Sequence, residues 1–98
     1  MTFTEEIIEA VWRNGRAVSD HDPDAWRKDQ CGAWIERTAY GESAAEFGWH
    51  IQPVRPGETG SADNLRPFNC LNRYDVATGR ACCMVTAEPE GRANRPPG

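Results

Sequence analysis

The sequence predicts an α+β fold, and three observations support this class. Apolar residues recur at helical spacing near the N-terminus, at Ile7, Ile8, Val11 and Trp12. Later segments alternate apolar and polar residues or are rich in β-branched and aromatic ones, as strands are. The chain has 98 residues, which suits one compact domain. We therefore expect an N-terminal helix, a strand hairpin, a second helix and a short C-terminal strand.

The first helix is predicted from about residue 3 to residue 13. Thr2 to Glu5 has the Ser/Thr-x-x-Glu form of a capping box, and Asn14-Gly15 ends the periodic segment. Asp22-Pro23-Asp24 is a second start signal and predicts a short helical turn through Ala25, Trp26 and Arg27. The acidic residues around His21 also look like an oxygen-rich metal site, but capping explains them without a metal.

The central segments predict a hairpin followed by a helix. Ala33 to Ile35 and Gly48 to Gln52 are the two expected strands, joined by a long connection. In the second strand Trp49 and Ile51 share one face and His50 and Gln52 the other. An irregular loop begins at Pro53. The remaining elements are a helix from Pro67 to about Val76 and a third strand over Ala81 to Thr86. The tryptophan spacing suits a core better than a base-stacking surface.

The domain boundary is expected near residue 87. We assign residues 1–87 to a single domain. Residues 88–98 (EPEGRANRPPG) contain no apolar run and are rich in proline, glycine and charge, which predicts a flexible C-terminal tail.

The charge balance and the cysteines bear on partners and compartment. The net charge is −4 and the pI near 5.1, so the basic signature of a dedicated DNA binder is missing. A local basic face remains open, with Arg55, Arg66 and Arg73 as candidate contacts. Neither a signal peptide nor a membrane span is recognisable, which predicts a cytoplasmic protein. The four cysteines are then expected to be reduced: Cys31, Cys70, Cys82 and Cys83.

Several strings of residues occur in a characteristic order. The most specific is Trp26-Arg27-Lys28-Asp29 followed by Cys31-Gly32-Ala33-Trp34-Ile35. The others are Tyr40-Gly41, Gly48-Trp49, Asn64-Leu65-Arg66-Pro67, Asn72 and Cys83-Met84-Val85-Thr86-Ala87. In these strings the sequence resembles a family of small bacterial and phage HNH endonucleases. The resemblance covers roughly residues 7–87. It implies a ββα-metal core, in which a hairpin, a loop and a helix surround a divalent cation.

This sequence departs from the family at the chemical positions. The family carries an acid-Ile-Asp-His string on its second strand, where the histidine activates water and the aspartate helps to hold the cation. Gln52 and Pro53 stand at those two positions. His50 stands at the leading acid and is the one catalytic candidate. His50, Gln52 and Asn72 are the candidate metal ligands, and the resemblance gives Asn64 a structural role.

Three functions follow as expectations. The first is a catalytically degenerate HNH-like binding module, an inhibitor or regulator that contacts a nuclease or a nucleic-acid complex and is encoded by a phage or mobile element. The second is a divalent-metal-dependent HNH endonuclease with a displaced active site. The third is a non-catalytic nucleic-acid binder. A cofactor is expected only for the second, and a membrane partner for none.

Overall fold

The computed structural model describes residues 3–56 and 61–97, which contain one α-helix, two single-turn 3₁₀ helices (Arg37–Ala39 and Ala62–Asn64) and eight short strands. The α+β class predicted from the sequence is confirmed. Helix α1 spans Glu5–Trp12, and the strands are β1 (Trp26–Lys28), β2 (Trp34–Glu36), β3 (Trp49–Pro53), β4 (Leu65–Asn69), β5 (Arg73–Asp75), β6 (Arg80–Cys82), β7 (Thr86–Ala87) and β8 (Asn94–Arg95). The strands form four separate antiparallel pairs, which are β1 with β2, β3 with β4, β5 with β6 and β7 with β8.

Helix α1 begins at a threonine cap and buries one face. The Oγ1 atom of Thr4 accepts a hydrogen bond from the Ile7 amide at 3.3 Å. The predicted helix is confirmed, but its cap is Thr4, and Thr2 lies outside the described residues. The buried side chains of α1 are Ile8, Val11 and Trp12, in agreement with the predicted apolar face.

The segment after Asp22 turns once and then extends. The Asp22 carboxylate accepts a hydrogen bond from the Asp24 amide, and the Asp22 carbonyl accepts one from the Trp26 amide. Trp26 then begins β1, so the predicted helical turn does not extend through Trp26 and Arg27. Pairing with β2 wins here because it satisfies the backbone groups of residues 26–28.

The predicted hairpin has the right strands but the wrong partners. Strand β2 pairs with β1 and places Ile35 opposite Arg27, whereas β3 pairs with β4 and places Ile51 opposite Pro67. The two predicted strands are not paired with each other, and a hydrogen bond from the Glu36 amide to the Phe47 carbonyl joins the residues that flank them. The predicted alternation within β3 is confirmed, since Trp49 and Ile51 are buried and His50 and Gln52 are half-buried.

The helix predicted from Pro67 to Val76 is wrong. Residues 65–69 form β4 and residues 73–75 form β5, so the helix of the expected ββα core is not present in this segment. Asn69 forms a turn between the two strands. Its side-chain oxygen accepts a hydrogen bond from the Leu71 amide, and its backbone carbonyl accepts one from the Asn72 amide. Asparagine side chains that bond the backbone in this way compete with helix formation.

The C-terminal part of the chain forms two short hairpins. The predicted third strand begins at Arg80 and ends at Cys82 rather than continuing to Thr86. Residues within the predicted tail form β8, in which Asn94 lies opposite Ala87. The Asn94 side chain also bonds both backbone groups of Trp34. The mobility of residues 88–98 stays a prediction.

Two tryptophans lie at the centre of the core. The rings of Trp12 and Trp49 are completely buried and their centroids are 5.2 Å apart. Both indole nitrogens donate to backbone carbonyls, those of Pro23 and Arg37. The other members of this core cluster are Ile8, Val11, Ile35, Ile51 and Leu65.

A disulfide joins the loop after β1 to the loop after β6. Cys31 and Cys83 are bonded, and their Cα atoms are 5.5 Å apart. The expectation of four reduced cysteines is therefore wrong for this pair, while Cys70 and Cys82 are free thiols. Sequence spacing alone does not determine such a pairing.

One arginine connects α1 to the turn that follows β2. Arg37 contacts Glu9 at 3.0 Å and Glu5 at 3.4 Å. The hydrogen bond from Arg37, followed by the one from Arg13, holds the pKa of Glu9 below its ordinary value. Since Glu9 is close to solvent, the pairing is screened and contributes modestly.

Reduction of the disulfide should destabilise the protein strongly. The two cysteines are 52 residues apart, and the chain-entropy model gives a loop of that length about 4 kcal/mol. Urea unfolding of the native protein, the reduced protein and the C31S/C83S variant measures the loss. A C70S/C82S variant is the control and should unfold like the native protein. Four titratable thiols in the oxidised protein would contradict the pairing.

Glu9→Gln should lower stability at neutral pH but not in acid. Because the pKa of Glu9 is lower in the folded chain than its ordinary 4.5, its contribution is present above that value and is lost as the pH falls through the lowered pKa. We expect a loss below about 1 kcal/mol that shrinks in high salt. Thermal unfolding between acid and neutral pH checks this, with the exposed Glu6→Gln as control. An equal loss at every pH would contradict it.

Candidate functional site

His50 and Gln52 lie side by side on the half-buried face of β3. The Gln52 Nε2 atom is 3.5 Å from His50 Nδ1. The Gln52 Oε1 atom accepts a hydrogen bond from the Tyr74 amide at 3.3 Å, which ties β3 to β5. Gln52, one of the predicted metal ligands, thus joins two sheets through its side-chain oxygen.

The other imidazole nitrogen of His50 faces a backbone carbonyl. His50 Nε2 lies 2.7 Å from the backbone carbonyl oxygen of Asn72. Because a carbonyl oxygen only accepts, this contact requires a hydrogen on Nε2. In the neutral ring the remaining lone pair is then on Nδ1, which faces the Gln52 amide. Nε2 is therefore not a free acceptor for a proton or a cation in this arrangement.

The Asn72 side chain is fully occupied by the fold. Its Nδ2 donates to Asp29 Oδ2 at 2.9 Å and to the Val85 carbonyl at 3.1 Å. Its Oδ1 accepts from the amides of Met84 and Val85 at 2.7 and 3.0 Å. The residue is buried. Asn72 thus presents its carbonyl to His50 and directs its amide away from that ring.

A buried carboxylate that sequence reasoning missed holds this arrangement together. Asp29 Oδ1 accepts hydrogen bonds from the backbone amides of Cys31 and Ala33. Its Oδ2 accepts one from the backbone amide of Asn69 and one from Asn72 Nδ2, and all four distances are 2.9 Å. Burial raises the pKa of Asp29, against the opposing effect of these hydrogen bonds. The only signal in the sequence was its place in the Trp-Arg-Lys-Asp string, which carried no chemical role.

The three candidate metal ligands do not fit a cation as a set. His50 and Asn72 meet through a backbone carbonyl, and the Gln52 oxygen accepts an amide from β5. A hard divalent cation is held by several oxygen ligands, usually with carboxylates among them. Within residues 3–56 and 61–97, His, Cys, Asp and Glu side chains form no group of three placed to hold a metal ion.

Asn64 and Arg55 bond each other across the loop that follows β3. Asn64 Nδ2 donates to the Arg55 carbonyl at 3.0 Å, and Arg55 Nε donates to Asn64 Oδ1 at 3.3 Å. The Asn64 carbonyl also accepts the Val54 amide. Asn64 is buried, so these bonds fix the two ends of the loop against each other.

The three candidate contact arginines lie on different elements. Arg55 is exposed beside Asn64, Arg73 is exposed on β5 opposite Cys82, and Arg66 lies on β4 opposite Gln52. Of these, Arg66 lines a cleft of about 280 Å³. The residues around that cleft are Asn14, Gly15, Arg16, Lys28, Asp29, Gln30, Arg66 and Pro67. Arg16 was not predicted as a site residue, because the cleft combines three distant segments.

A second cavity of about 470 Å³ lies near the C-terminal hairpin. Trp26 and Phe47 meet edge to face there, and the Arg92 guanidinium lies 4.4 Å from the Trp26 ring centroid. Arg92 also contacts His21 at 3.2 Å. A residue of the chain itself therefore already covers the most accessible tryptophan.

Comparison with protein-family models, with curated proteins and with solved structures gives no match to this chain. In the described part of the sequence, no helix has both the length and the apolar character that crossing a bilayer requires.

Asp29→Asn should destabilise the protein by about 2–6 kcal/mol. The new amide would face the Asn69 backbone N–H and one N–H of Asn72 Nδ2, so these two hydrogens would lose their acceptor, and each buried unpaired group costs about 1–3 kcal/mol. Chemical unfolding measures the difference, with the exposed Asp24→Asn as a matched control. Equal stability of Asp29→Asn and the native protein would contradict the proposed role of the carboxylate.

Proposed function

We propose that the chain is a non-catalytic binding module, an HNH-like protein that inhibits or regulates a nuclease or a nucleic-acid complex through protein contact. The contact between His50 Nε2 and the Asn72 carbonyl carries this proposal. Nε2 of His50 thus joins β3 to the segment before β5, and Nδ1, which keeps the lone pair of the neutral ring, faces the Gln52 amide at 3.5 Å.

The neighbouring positions support the same conclusion. Pro53 has no titratable group, and Gln52 is neutral and bonded to Tyr74. General-base catalysis needs a group that accepts a proton from water, and cation binding needs free anionic or neutral donors that converge. The Gln52 side chain instead joins β3 to β5.

Exposed apolar side chains favour a protein partner. Leu71 and Met84 are 60% and 66% exposed. The segments that carry them are joined, because the side chain of Asn72, next to Leu71, accepts the Met84 amide at 2.7 Å. Methionine and other apolar side chains are enriched in the centres of protein interfaces. The net charge of −4 also suits contact with a basic surface better than with a bare polyanion.

A plasmid-cleavage assay tests the absence of catalysis. We expect purified protein to leave supercoiled DNA intact with Mg²⁺, Mn²⁺, Ni²⁺ or Zn²⁺. His50→Ala should behave identically in cleavage while losing about 1 kcal/mol of stability with its hydrogen bond. His21→Ala, which changes the other histidine of the chain, is the matched control.

The displaced-site endonuclease makes the opposite prediction. Metal-dependent nicking that follows the protein through purification, survives His21→Ala and disappears in a folded His50→Ala variant would establish that enzyme. The binding-module proposal would then be wrong.

A further inference from the structure

The cleft beside α1 is built from three chain segments that the fold fixes in place. Arg16 follows the helix, Gln30 follows β1, and Arg66 lies on β4. The backbone amide and carbonyl of Arg16 bond the carbonyl and amide of Lys28 at 2.8 and 2.9 Å. Asn14 Nδ2 donates to the Ala62 and Leu65 carbonyls. The walls of the cleft are therefore fastened to one another.

The arginines around the cleft lack acidic partners within the described ranges. Ion pairs in those ranges involve Arg13 and Arg37, which use Glu5 and Glu9 of α1. Arg16, Arg27 and Arg66 make none of these pairs. In a chain of net charge −4, Arg16 and Arg66 bring two such arginines to one cleft, and both contribute positive charge there.

Arg66 and Arg27 are held in position by backbone carbonyls. Arg66 Nη1 donates to the Asp63 and Leu65 carbonyls at 2.9 and 2.8 Å. Its Nε and Nη2 atoms make no hydrogen bond to another residue of ranges 3–56 and 61–97. Arg27 donates to the Pro23 and Gly15 carbonyls at 2.9 and 3.0 Å. A guanidinium that is already ordered loses less conformational entropy when it binds an anion.

The other charged residues of the cleft face elsewhere. The ammonium of Lys28 lies 4.8 Å from the centroid of the Trp34 ring. Both oxygens of Asp29 accept two hydrogen bonds each, from Cys31 and Ala33 and from Asn69 and Asn72. The groups that remain for a ligand are the exposed Arg16 side chain, the Arg66 guanidinium and the exposed amide of Gln30.

We propose that this cleft binds a phosphate group, with Arg16 and Arg66 as its main contacts and Gln30 as an additional donor. A planar carboxylate is satisfied by one guanidinium fork, whereas the tetrahedral oxygens of a phosphate suit donors from separate walls. This inference goes beyond the proposed protein contact and adds a second binding site on the same chain. Its test measures ligand binding alone, so that cleavage of DNA through His50 would overturn the binding role without deciding this site.

Nuclear magnetic resonance of the arginine side chains tests the site directly. Inorganic phosphate is titrated into the full chain at constant ionic strength, with acetate as the carboxylate comparison. We expect saturable shifts of the Arg16 and Arg66 Nε–H signals with phosphate and weaker ones with acetate. Arg16→Gln and Arg66→Gln should each weaken binding by about tenfold, as the loss of a charged hydrogen bond does.

Arg80→Gln is the matched control, because Arg80 is an exposed arginine on β6 that does not line the cleft. If Arg80→Gln weakens binding as much as Arg16→Gln, or if acetate binds as well as phosphate, the proposed site is wrong. Dispersed amide spectra of each variant show that it is folded.

Two further ligands distinguish the sources of the phosphate. An adenosine monophosphate that binds as tightly as a short oligonucleotide would indicate a free nucleotide or phosphate. An oligonucleotide that binds more tightly, with an affinity that falls steeply with salt, would indicate the backbone of a nucleic acid. Failure of both ligands and of inorganic phosphate would overturn the proposal.

Discussion

The buried carboxylate of Asp29 is the constraint on which much of this small fold depends. A charge removed from water is tolerated only when hydrogen bonds replace its hydration. Four donors do so here, from the loop after β1, the end of β4 and the Asn72 side chain. These segments are distant in sequence, so their convergence on one side chain fixes three parts of the chain relative to each other.

The same constraint determines the state of His50. Asn72 turns its amide towards Asp29 and the loop after β6, which leaves its own carbonyl facing β3. The imidazole then bonds that carbonyl. Asp29, Asn72 and His50 therefore form a continuous path of structural hydrogen bonds from the loop after β1 to the half-buried face of β3.

Local patterns predicted the local features of the fold. The helical spacing at Ile8, Val11 and Trp12 and the alternation at Trp49 and Ile51 describe single elements, and both agree with the structure. Strand pairing depends on segments elsewhere in the chain, so the partners of β2 and β3 were assigned wrongly. The prediction of a helix after Pro67 was wrong for a related reason. The side chains of Asn69 and Asn72 accept hydrogen bonds from backbone amides, and these bonds end the regular structure.

The candidate site was predictable only in part. The sequence identified His50, Gln52 and Asn72 as a group, and the structure brings them together through the Asn72 backbone rather than its side chain. The cleft containing Arg16 and Arg66 had no sequence signal, because each wall comes from a different element. The disulfide also has a topological consequence. Cys31 and Cys83 close a covalent ring that contains β2 to β6, with α1 and the C-terminal hairpin outside it. A protease that cuts once within the ring leaves both pieces attached, and they separate on a gel only after reduction.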